Sequence, residues 1–285
     1  MPNRLTLMAV HAHPDDEAIG TGGVLAEYAD SGVRTVLVTC TGGEVGEIAS
    51  PTLASAENLG AVRERELRTA CEILNVTHLE LLGYRDSGMV GTADNSHPEA
   101  FAQADLDEAA ARLVKLVRTY RPQVIVTYDE NGFYGHPDHI NAHRIAARAY
   151  ELAGDANHDA GDGLEPWAPA KLYYTAVPRS AMAEFGRRLR EAGIEPPMRT
   201  DEVEGEVPPF GTPDELVTTV VDVSAQVERK RRALFAHATQ MGPEVFFSKI
   251  PTPVFDQLFG RETFQLARSR ISPTGKESDL FAGLR

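Results

Sequence analysis

The first 150 residues alternate short apolar runs with amphipathic helical patterns, and this alternation constrains the fold more than any other feature. The runs at 33–43 and 123–130 are rich in β-branched residues and are typical of buried strands. Residues 57–75 and 106–120 carry apolar side chains at helical spacing. Strands that alternate with helices indicate a mostly parallel sheet covered on both faces, so we expect a Rossmann-like α/β fold.

The remaining elements follow from the same patterns. Strands are also predicted at 5–12, 77–84, 170–177 and 216–223, and helices at 23–32, 136–153, 179–192 and 224–237. The acidic, Pro-rich stretch 193–215 predicts a long loop of the kind that covers active sites. After Met241 the chain is Pro- and Phe-rich with little periodicity, which predicts a less regular C-terminal segment. We therefore expect a metal-binding catalytic domain over 1–177, with 178–285 packing on it and shaping the substrate pocket.

Charge and hydropathy narrow the class of partner. The formal net charge is -14, and the arginines alternate with Glu or apolar residues at helical spacing, so we expect no nucleic-acid partner. No apolar run approaches the roughly 18 residues of a membrane span, so we expect no membrane partner. The N-terminal sequence enters a strand pattern without a basic leader, and the chain has only two cysteines. Both features predict a cytoplasmic protein.

Two segments that combine His and Asp follow predicted strands. AHPDDE at 12–17 comes directly after the first strand, and YGHPDH at 134–139 comes shortly after the fourth. Each segment forms a Pro-containing turn at the carboxyl end of its strand. Because parallel strands present their carboxyl ends at one edge of a sheet, side chains more than a hundred residues apart can meet there.

Imidazole and carboxylate together suit zinc, and a catalytic zinc site has three protein ligands and a position for water. His13, Asp16 and His139 supply such a set. Asp15 lies beside a ligand without being needed as one, so it can act as general base. His136, one turn before the third ligand, can stabilise an oxyanion.

Four alternatives to a catalytic zinc site agree less well with these residues. An aspartate pair after a strand, with Asp129 after the fourth strand, also suits magnesium, but magnesium prefers oxygen ligands and the histidines favour zinc. TGGEVGE at 41–47 is no dinucleotide fingerprint, and the chain has no GxSxG motif, which argues against a dehydrogenase and a serine hydrolase. A non-enzymatic metal- or sugar-binding module is disfavoured by Asp15, which only catalysis requires.

The two motifs closely resemble the signature segments of the LmbE-like, or PIG-L, deacetylase family. RDSGM at 85–89 and TYDENGFYGHPDH at 127–139 are similar to segments of its mycothiol branch. That branch holds the deacetylase of N-acetylglucosaminyl-inositol and the mycothiol S-conjugate amidase. The resemblance implies a hydrolase that removes an N-acyl group, acetyl before others, from a small amino-sugar substrate. It implies a zinc ion, with ferrous iron as the alternative, on the three ligands named above.

The resemblance also implies roles for the neighbouring residues. Asp15 is then the base, and His136 is the acid and oxyanion stabiliser. Tyr134 resembles a tyrosine that polarises the carbonyl or closes over it. Asp138 resembles a residue that orients or tunes His136.

The residues that would recognise the substrate leave two questions open. Arg63 and Asp86 resemble residues that hold inositol or sugar hydroxyls, and the other interpretation of Arg63 is an ion pair with Glu66 one turn along its helix. The amidase carries a lysine where this chain has Gly20, whereas AHATQ at 236–240 resembles the amidase more than the deacetylase. The sequence thus leaves both substrates open, together with a third alternative, a natural-product amino sugar from which an acetyl group is removed.

Overall fold

The strands of the protein form one sheet in the computed structural model, which describes residues 4–161, 163–196, 211–272 and 275–285. Within these residues the strands are β1 Thr6–His11, β2 Arg34–Thr41, β3 His78–Tyr84, β4 Val124–Thr127, β5 Lys171–Ala176, β6 Thr219–Asp222 and β7 Arg261–Ser269. Their order is β3-β2-β1-β4-β5-β7-β6. The first five run parallel, and β7 lies antiparallel to both β5 and β6. The predicted mostly parallel α/β sheet is confirmed.

The strand order reverses direction between β1 and β4. These two strands are neighbours, yet β2 and β3 continue on one side and β5 on the other. Such a reversal leaves a crevice beyond the carboxyl ends of the two strands, where ligands of open α/β sheets bind. Both His/Asp segments follow these two strands, so the topology brings them to one crevice.

The helices of the described residues cover the sheet on both faces. They are α1 Asp16–Gly20, α2 Gly22–Asp30, α3 Leu59–Leu74, α4 Leu106–Tyr120, α5 Gly132–Gly135, α6 Pro137–Leu152, α7 Arg179–Glu191, α8 Val227–Ala236, α9 Phe246–Lys249 and α10 Thr252–Phe259. All six predicted helices are present, with ends shifted by up to three residues. α4 ends where predicted, because Arg121 adopts a φ of 51° and the next residue is proline.

The two faces of β1 belong to two separate cores. Leu7 and Ala9 pack with residues of α2, α3, α8 and α10, whereas Met8 and Val10 pack with residues of α4 and α6. All four side chains are fully buried. A strand buried on both faces is apolar throughout rather than alternating, which is why the run at 5–12 is readable from sequence.

The C-terminal part contributes a strand that the sequence does not predict. β7 inserts between β5 and β6, and its side chains, RETFQLARS, are mostly only partly buried. Its polar residues hide the strand pattern, so the expectation of little regular structure after Met241 is wrong for Arg261–Ser269. Residues 197–210 of the predicted loop over 193–215 lie outside the described residues. Within the described part of the chain, no helix has the length and apolar character to cross a membrane.

Candidate active site

The turn after β1 places three acidic residues at the start of α1. Asp15 is the N-cap residue and has φ 108° and ψ -28°, and its side chain makes no capping hydrogen bond. Asp16 and Glu17 occupy the first helical turn, where the helix dipole favours negative charge. The backbone N–H of His13 donates to Asp16 Oδ2 at 2.8 Å, which fixes this carboxylate beside the imidazole.

The turn after β4 ends in the first residues of α6. His136 is the N-cap, and its Nδ1 accepts from the backbone N–H of Asp138 at 3.2 Å. Pro137 occupies the first helical position, where its missing N–H costs nothing. His139 follows in the first turn and is buried. The sequence His-Pro-Asp-His therefore forms a cap that presents two imidazoles toward the crevice.

His13, Asp16 and His139 bring three donor atoms into a near-equilateral triangle. His13 Nδ1 lies 3.2 Å from His139 Nε2, and Asp16 Oδ2 lies 3.5 Å from each of these nitrogens. Ligands of a tetrahedral zinc ion at bond lengths near 2.1 Å stand about 3.4 Å apart. The three predicted ligands therefore fit a zinc-sized cation without rearrangement.

Carboxylates surround His13 on its other side. Its Nε2 lies 3.2 Å from Asp138 Oδ2 and 3.6 Å from Asp86 Oδ1. Burial opposes a charge on His13, but hydrogen bonds to Asp138 and Asp16 raise its pKa well above the ordinary value. The local field thus favours positive charge at this point, which is the electrostatic requirement of a cation site.

The pKa values of the neighbouring groups separate their chemistry. Burial lowers the pKa of His139 to about 3, so its imidazole is neutral, as a metal ligand must be. Burial acts against ionisation of Asp16, yet His139 and His13 lower the pKa of this carboxyl. Burial and the adjacent Asp16 raise the pKa of Asp15 to about 8. Adjacent carboxyl groups whose pKa values shift in opposite directions are typical of a metal ligand beside a group that acts as acid or base.

Asp138 contacts a different histidine from the one expected. Its carboxylate lies on His13, and only its backbone N–H reaches His136. The N–H and hydroxyl of Ser87 both donate to the Asp138 carboxylate. A carboxylate behind a ligating imidazole fixes its orientation and tautomer. The geometry therefore connects Asp138 directly to His13, and its carboxylate also lies within 4.8 Å of a His136 ring nitrogen.

Two further groups of donor atoms share His13, and in one of them ring nitrogens of His13, His136 and His139 lie within 4.8 Å of one another. Nitrogen or oxygen atoms of His13, Asp86, His136 and Asp138 also lie within 4.8 Å of one another. Here both carboxylates already accept backbone hydrogen bonds, from Ser87 to Asp138 and from Gly88 to Asp86. The triangle that contains Asp16 uses His13 Nδ1 and leaves Nε2 facing the Asp138 carboxylate, which is the arrangement of a ligating imidazole with a carboxylate behind it.

Arg63 and Asp86 lie behind the crevice and are buried. Arg63 donates to the carbonyl oxygens of Gly43 at 2.6 Å and Glu47 at 2.9 Å, so it holds the loop after β2. A Cβ at Gly46 would lie 2.4 Å from Arg63 Nη1, so a side chain at this position would displace the guanidinium. The alternative partner of Arg63, Glu66, instead accepts from Thr239.

Tyr134 stands at the mouth of the crevice. It belongs to the short α5 turn, and its ring centre is 4.9 Å from that of His139 and 6.1 Å from that of His136. Its side chain is 48% exposed. The preceding Phe133 has φ 67°, a backbone strain of the kind found beside active sites. Tyr134 is thus the exposed member of the set, next to both histidines of α6.

Tyr128 is a site residue that the sequence reasoning missed. Its hydroxyl donates to Asp16 Oδ2 at 2.7 Å and accepts from the backbone N–H of Ala12 at 2.9 Å. Its ring stacks on His139 with centres 4.2 Å apart. The available signal was its place directly after β4, but a tyrosine there is also an ordinary core residue.

Comparison with known proteins places this geometry in a family. A family model described as PIG-L, GlcNAc-PI de-N-acetylase, matches residues 8–150. Two curated relatives carry the name 1D-myo-inositol 2-acetamido-2-deoxy-alpha-D-glucopyranoside deacetylase. The protein from Salinispora arenicola is 48% identical over 297 aligned residues, which cover 100% of this chain and 92% of the relative. The protein from Acidothermus cellulolyticus is 48% identical over 290, covering 98% and 95%.

A solved structure shares the fold at low sequence identity. The N,N'-diacetylchitobiose deacetylase from Pyrococcus horikoshii superposes with a TM-score of 0.59 at 20% identity, over 90% of this chain and 74% of that one. The family model covers half of the chain, and the two curated relatives cover nearly all of it. The chain therefore belongs to the PIG-L family of deacetylases and is a hydrolase that acts on amides.

Proposed function

We propose that this protein is a zinc-dependent amidohydrolase that removes an N-acyl group, acetyl before others, from a small glucosamine-containing substrate such as N-acetylglucosaminyl-inositol. The names of the two relatives at 48% identity support the substrate class. The observation that carries the chemistry is the triangle of His13 Nδ1, Asp16 Oδ2 and His139 Nε2 beside Asp15. Ferrous iron is the alternative ion, since imidazole and carboxylate also suit it.

The proton path runs through Asp15. A zinc ion on the three ligands supplies Lewis acidity that activates water and polarises the amide carbonyl. Asp15 takes a proton from the attacking water as the new C–O bond forms. Burial and the adjacent Asp16 raise the pKa of Asp15, which favours retention of that proton until the C–N bond breaks. The proton goes to the leaving nitrogen, so the products are a carboxylate and a free amine.

His136 is suited to stabilise the oxyanion because its hydrogen bonding selects one tautomer. Nδ1 accepts from the Asp138 backbone N–H, which leaves the ring proton on Nε2. Burial, followed by the nearby His13, lowers the pKa of His136, so the ring donates as a neutral imidazole. A donor of this kind is worth roughly 3 kcal/mol to the transition state. Tyr134, at the mouth, is placed to close over the carbonyl.

The two residues proposed for the sugar side act in different ways. Asp86 Oδ1 accepts from the backbone N–H of Gly88 and lies close to His13, so it can receive substrate hydroxyls at the metal edge. Arg63 acts on substrate through the loop that its guanidinium holds, since both terminal nitrogens donate to carbonyl oxygens of that loop.

A thiol-conjugate amidase is the second candidate, and a specific contact favours it. The segment 236–240, whose sequence resembles the amidase, reaches the metal-binding loop. Gln240 Nε2 donates to the carbonyl oxygen of Pro14 at 2.7 Å. A segment at this distance from the ligands can influence which amide is cleaved.

The deciding experiment measures amine release from N-acetylglucosaminyl-inositol and from a mycothiol S-conjugate. Metal-stripped and zinc-restored protein are assayed side by side. We expect zinc-dependent release mainly from N-acetylglucosaminyl-inositol. Release chiefly from the conjugate would identify an amidase, and release from neither by zinc-loaded protein would refute both substrates.

Asp15→Ala separates an enzyme from a binding module. We expect turnover to fall by at least about 10³-fold while zinc affinity changes little, because the base acts on bound water without being a ligand. Zinc affinity is measured by competition with a chromogenic chelator. Full turnover by Asp15→Ala would contradict the assigned role.

A further inference from the structure

Asp15 adopts a backbone conformation that needs external support. Its φ of 108° is the largest among the non-glycine residues with positive φ in the described chain. Side chains with a Cβ rarely occupy this region, and such strain persists only where the surroundings hold it. The proposed base therefore sits on a turn whose shape other residues must maintain.

The Glu17 carboxylate is the group that holds this turn. Its Oε2 accepts the backbone N–H of Asp15 at 3.0 Å, and its Oε1 lies 2.7 Å from His237 Nε2. Both side chains are 0% exposed. The two residues are separated by 220 positions in the chain. Glu17 thus joins the strained turn to the segment that follows α8.

Two further contacts attach the same segment to the site. Gln240 donates to the carbonyl oxygen of Pro14, the residue before Asp15. Thr239 donates through its backbone N–H and its hydroxyl to Glu66 on α3. We call His237, Thr239 and Gln240 the tail clamp. It contacts the metal-binding turn on both sides of Asp15.

An imidazole at position 237 costs free energy that an apolar side chain of similar packing would not. Its Nδ1 is buried and has no hydrogen-bond partner within the described ranges. An apolar side chain would avoid this unsatisfied nitrogen. Among the residues that the structure describes, the ring has its hydrogen-bond contact with Glu17, so this contact is what an imidazole provides at position 237.

The metal ligands do not depend on the tail clamp. The Asp16 carboxylate is held separately, by the backbone N–H of His13 and the hydroxyl of Tyr128. His139 belongs to α6, which packs in the core on the other face of the sheet from α8. Loss of the His237–Glu17 contact should therefore disturb the base more than the metal.

We propose that His237 and Glu17 are positioning residues that hold Asp15 in its strained conformation and aim its carboxylate at the reacting water. This inference rests on the proposed function, in which Asp15 is the base. Neither residue touches the substrate. Each acts through the backbone of the turn.

The test compares His237→Ala, His237→Gln and the control His78→Ala. Glutamine can still donate an N–H to Glu17, whereas alanine cannot. His78 is a half-buried imidazole at the start of β3, far from the carboxyl edge of the sheet, and its ring lies 4.8 Å from that of Tyr120 at an angle of 41°. Three quantities are measured: hydrogen exchange of the segment 13–17, zinc affinity by chelator competition, and kcat and KM for N-acetylglucosaminyl-inositol.

We expect His237→Ala to exchange faster over 13–17 and to lose about 100-fold in kcat, the scale of a 1 Å misplacement of a catalytic group. KM and zinc affinity should stay within about threefold, because binding groups are unchanged. His237→Gln should recover most of kcat, and His78→Ala should match the wild type in exchange over 13–17.

The inference is overturned if His237→Ala keeps wild-type exchange and kcat, or if folded His237→Gln is as impaired as the alanine variant. If His237→Ala does not fold, Glu17→Gln replaces it, with faster exchange and lower kcat as the supporting result. A wild type that binds zinc but cleaves no amino-sugar amide would refute the proposed function. Exchange over 13–17 would still decide the role of the tail clamp.

Discussion

Tyr128 contacts two of the three proposed metal ligands, although it is not a ligand itself. Its hydroxyl donates to Asp16 Oδ2, and its ring stacks on His139. The same hydroxyl accepts from the backbone N–H of Ala12, which ties it to the end of β1. Groups behind metal ligands typically contribute a factor of 10 to 100 in metal affinity.

Tyr128→Phe is therefore expected to weaken zinc binding by about 10- to 100-fold. The phenyl ring keeps the stacking on His139, so only the hydrogen bond to Asp16 is lost. The measurement is zinc competition with a chelator at fixed pH. Tyr150→Phe is the matched control. Tyr150 lies on α6 and is buried, and its hydroxyl donates to the carbonyl oxygen of Ala170 at 3.3 Å without touching a ligand. Equal affinities for the two variants would contradict this role.

His237 makes the stability of the protein depend on pH. Burial favours the neutral ring, but Glu17, with smaller contributions from Asp15 and Glu66, raises its pKa above the ordinary 6.5. A raised pKa in the folded state gives stability that is fully present below 6.5 and is lost as pH rises through the folded value. Each unit of the raised pKa is worth about 1.4 kcal/mol.

We expect the free energy of unfolding of the wild type, relative to His237→Gln, to fall as pH increases above 6.5. Glutamine keeps a donor but does not titrate, so the difference isolates the charge. Urea unfolding of zinc-saturated protein at a series of pH values gives this difference. If the free energy of unfolding of the wild type rose relative to that of His237→Gln as pH increases, the assigned direction of the His237 pKa shift would be wrong.

At the scale of secondary-structure elements, the buried carboxylate of Glu262 joins three of them, β7, α2 and α8. Glu262 on β7 accepts the backbone N–H groups of Gly23 at 2.7 Å and Val24 at 2.8 Å, at the start of α2. It also pairs with Lys230 on α8 at 2.5 Å, and both side chains are 3% exposed. A carboxylate at a helix N-terminus satisfies free N–H groups and complements the helix dipole.

Glu262→Gln should destabilise the protein by about 3–5 kcal/mol, because it leaves the buried ammonium of Lys230 without a countercharge. Urea unfolding measures the loss. Glu64→Gln removes the exposed partner of Arg68 and should cost only about 0–1 kcal/mol. The double variant Glu262→Gln with Lys230→Met should recover part of the loss. A Glu262→Gln effect no larger than the surface control would refute the buried-pair argument.

At the scale of the whole molecule, the N- and C-terminal parts share one sheet and one core. β7 pairs with β5, and the core on the α2 side includes Phe255 and Phe281 together with Leu7. Lys171 on β5 is fully buried and pairs with Glu277 at 2.8 Å. We propose that 1–177 is the catalytic domain and that 178–285 shapes its pocket. The two parts differ in function, but they fold as one unit.

A fragment of residues 1–177 should therefore fail to fold cooperatively. It would expose the edge of β5 and leave the Lys171 ammonium unpaired in an apolar environment. Near-ultraviolet circular dichroism and thermal unfolding compare the fragment with the full chain. A soluble fragment with native-like dichroism and one sharp transition would instead show that 1–177 folds independently.

Much of the architecture could be predicted from sequence because it depends on local pattern. The apolar run of β1 and the helical spacing of α4 need only neighbouring residues to be recognised. The ligand set stays a prediction, made because imidazole and carboxylate follow two strands, and the structure brings its three donor atoms to within 3.5 Å of one another. β7 could not be predicted, because its side chains are partly exposed and partly polar, so no clear period marks it.

By itself, the sequence determined the α/β class and six of the strands, and it supplied the prediction that His13, Asp16 and His139 bind a metal. Only the tertiary structure decided that β1 lies next to β4, which brings the two motifs into one crevice. It also decided that Asp138 contacts His13, and that His237 reaches Glu17 across 220 residues. Local patterns report which face of an element is buried. Which distant side chain meets which depends on strand order and helix packing, and no local period encodes either of them.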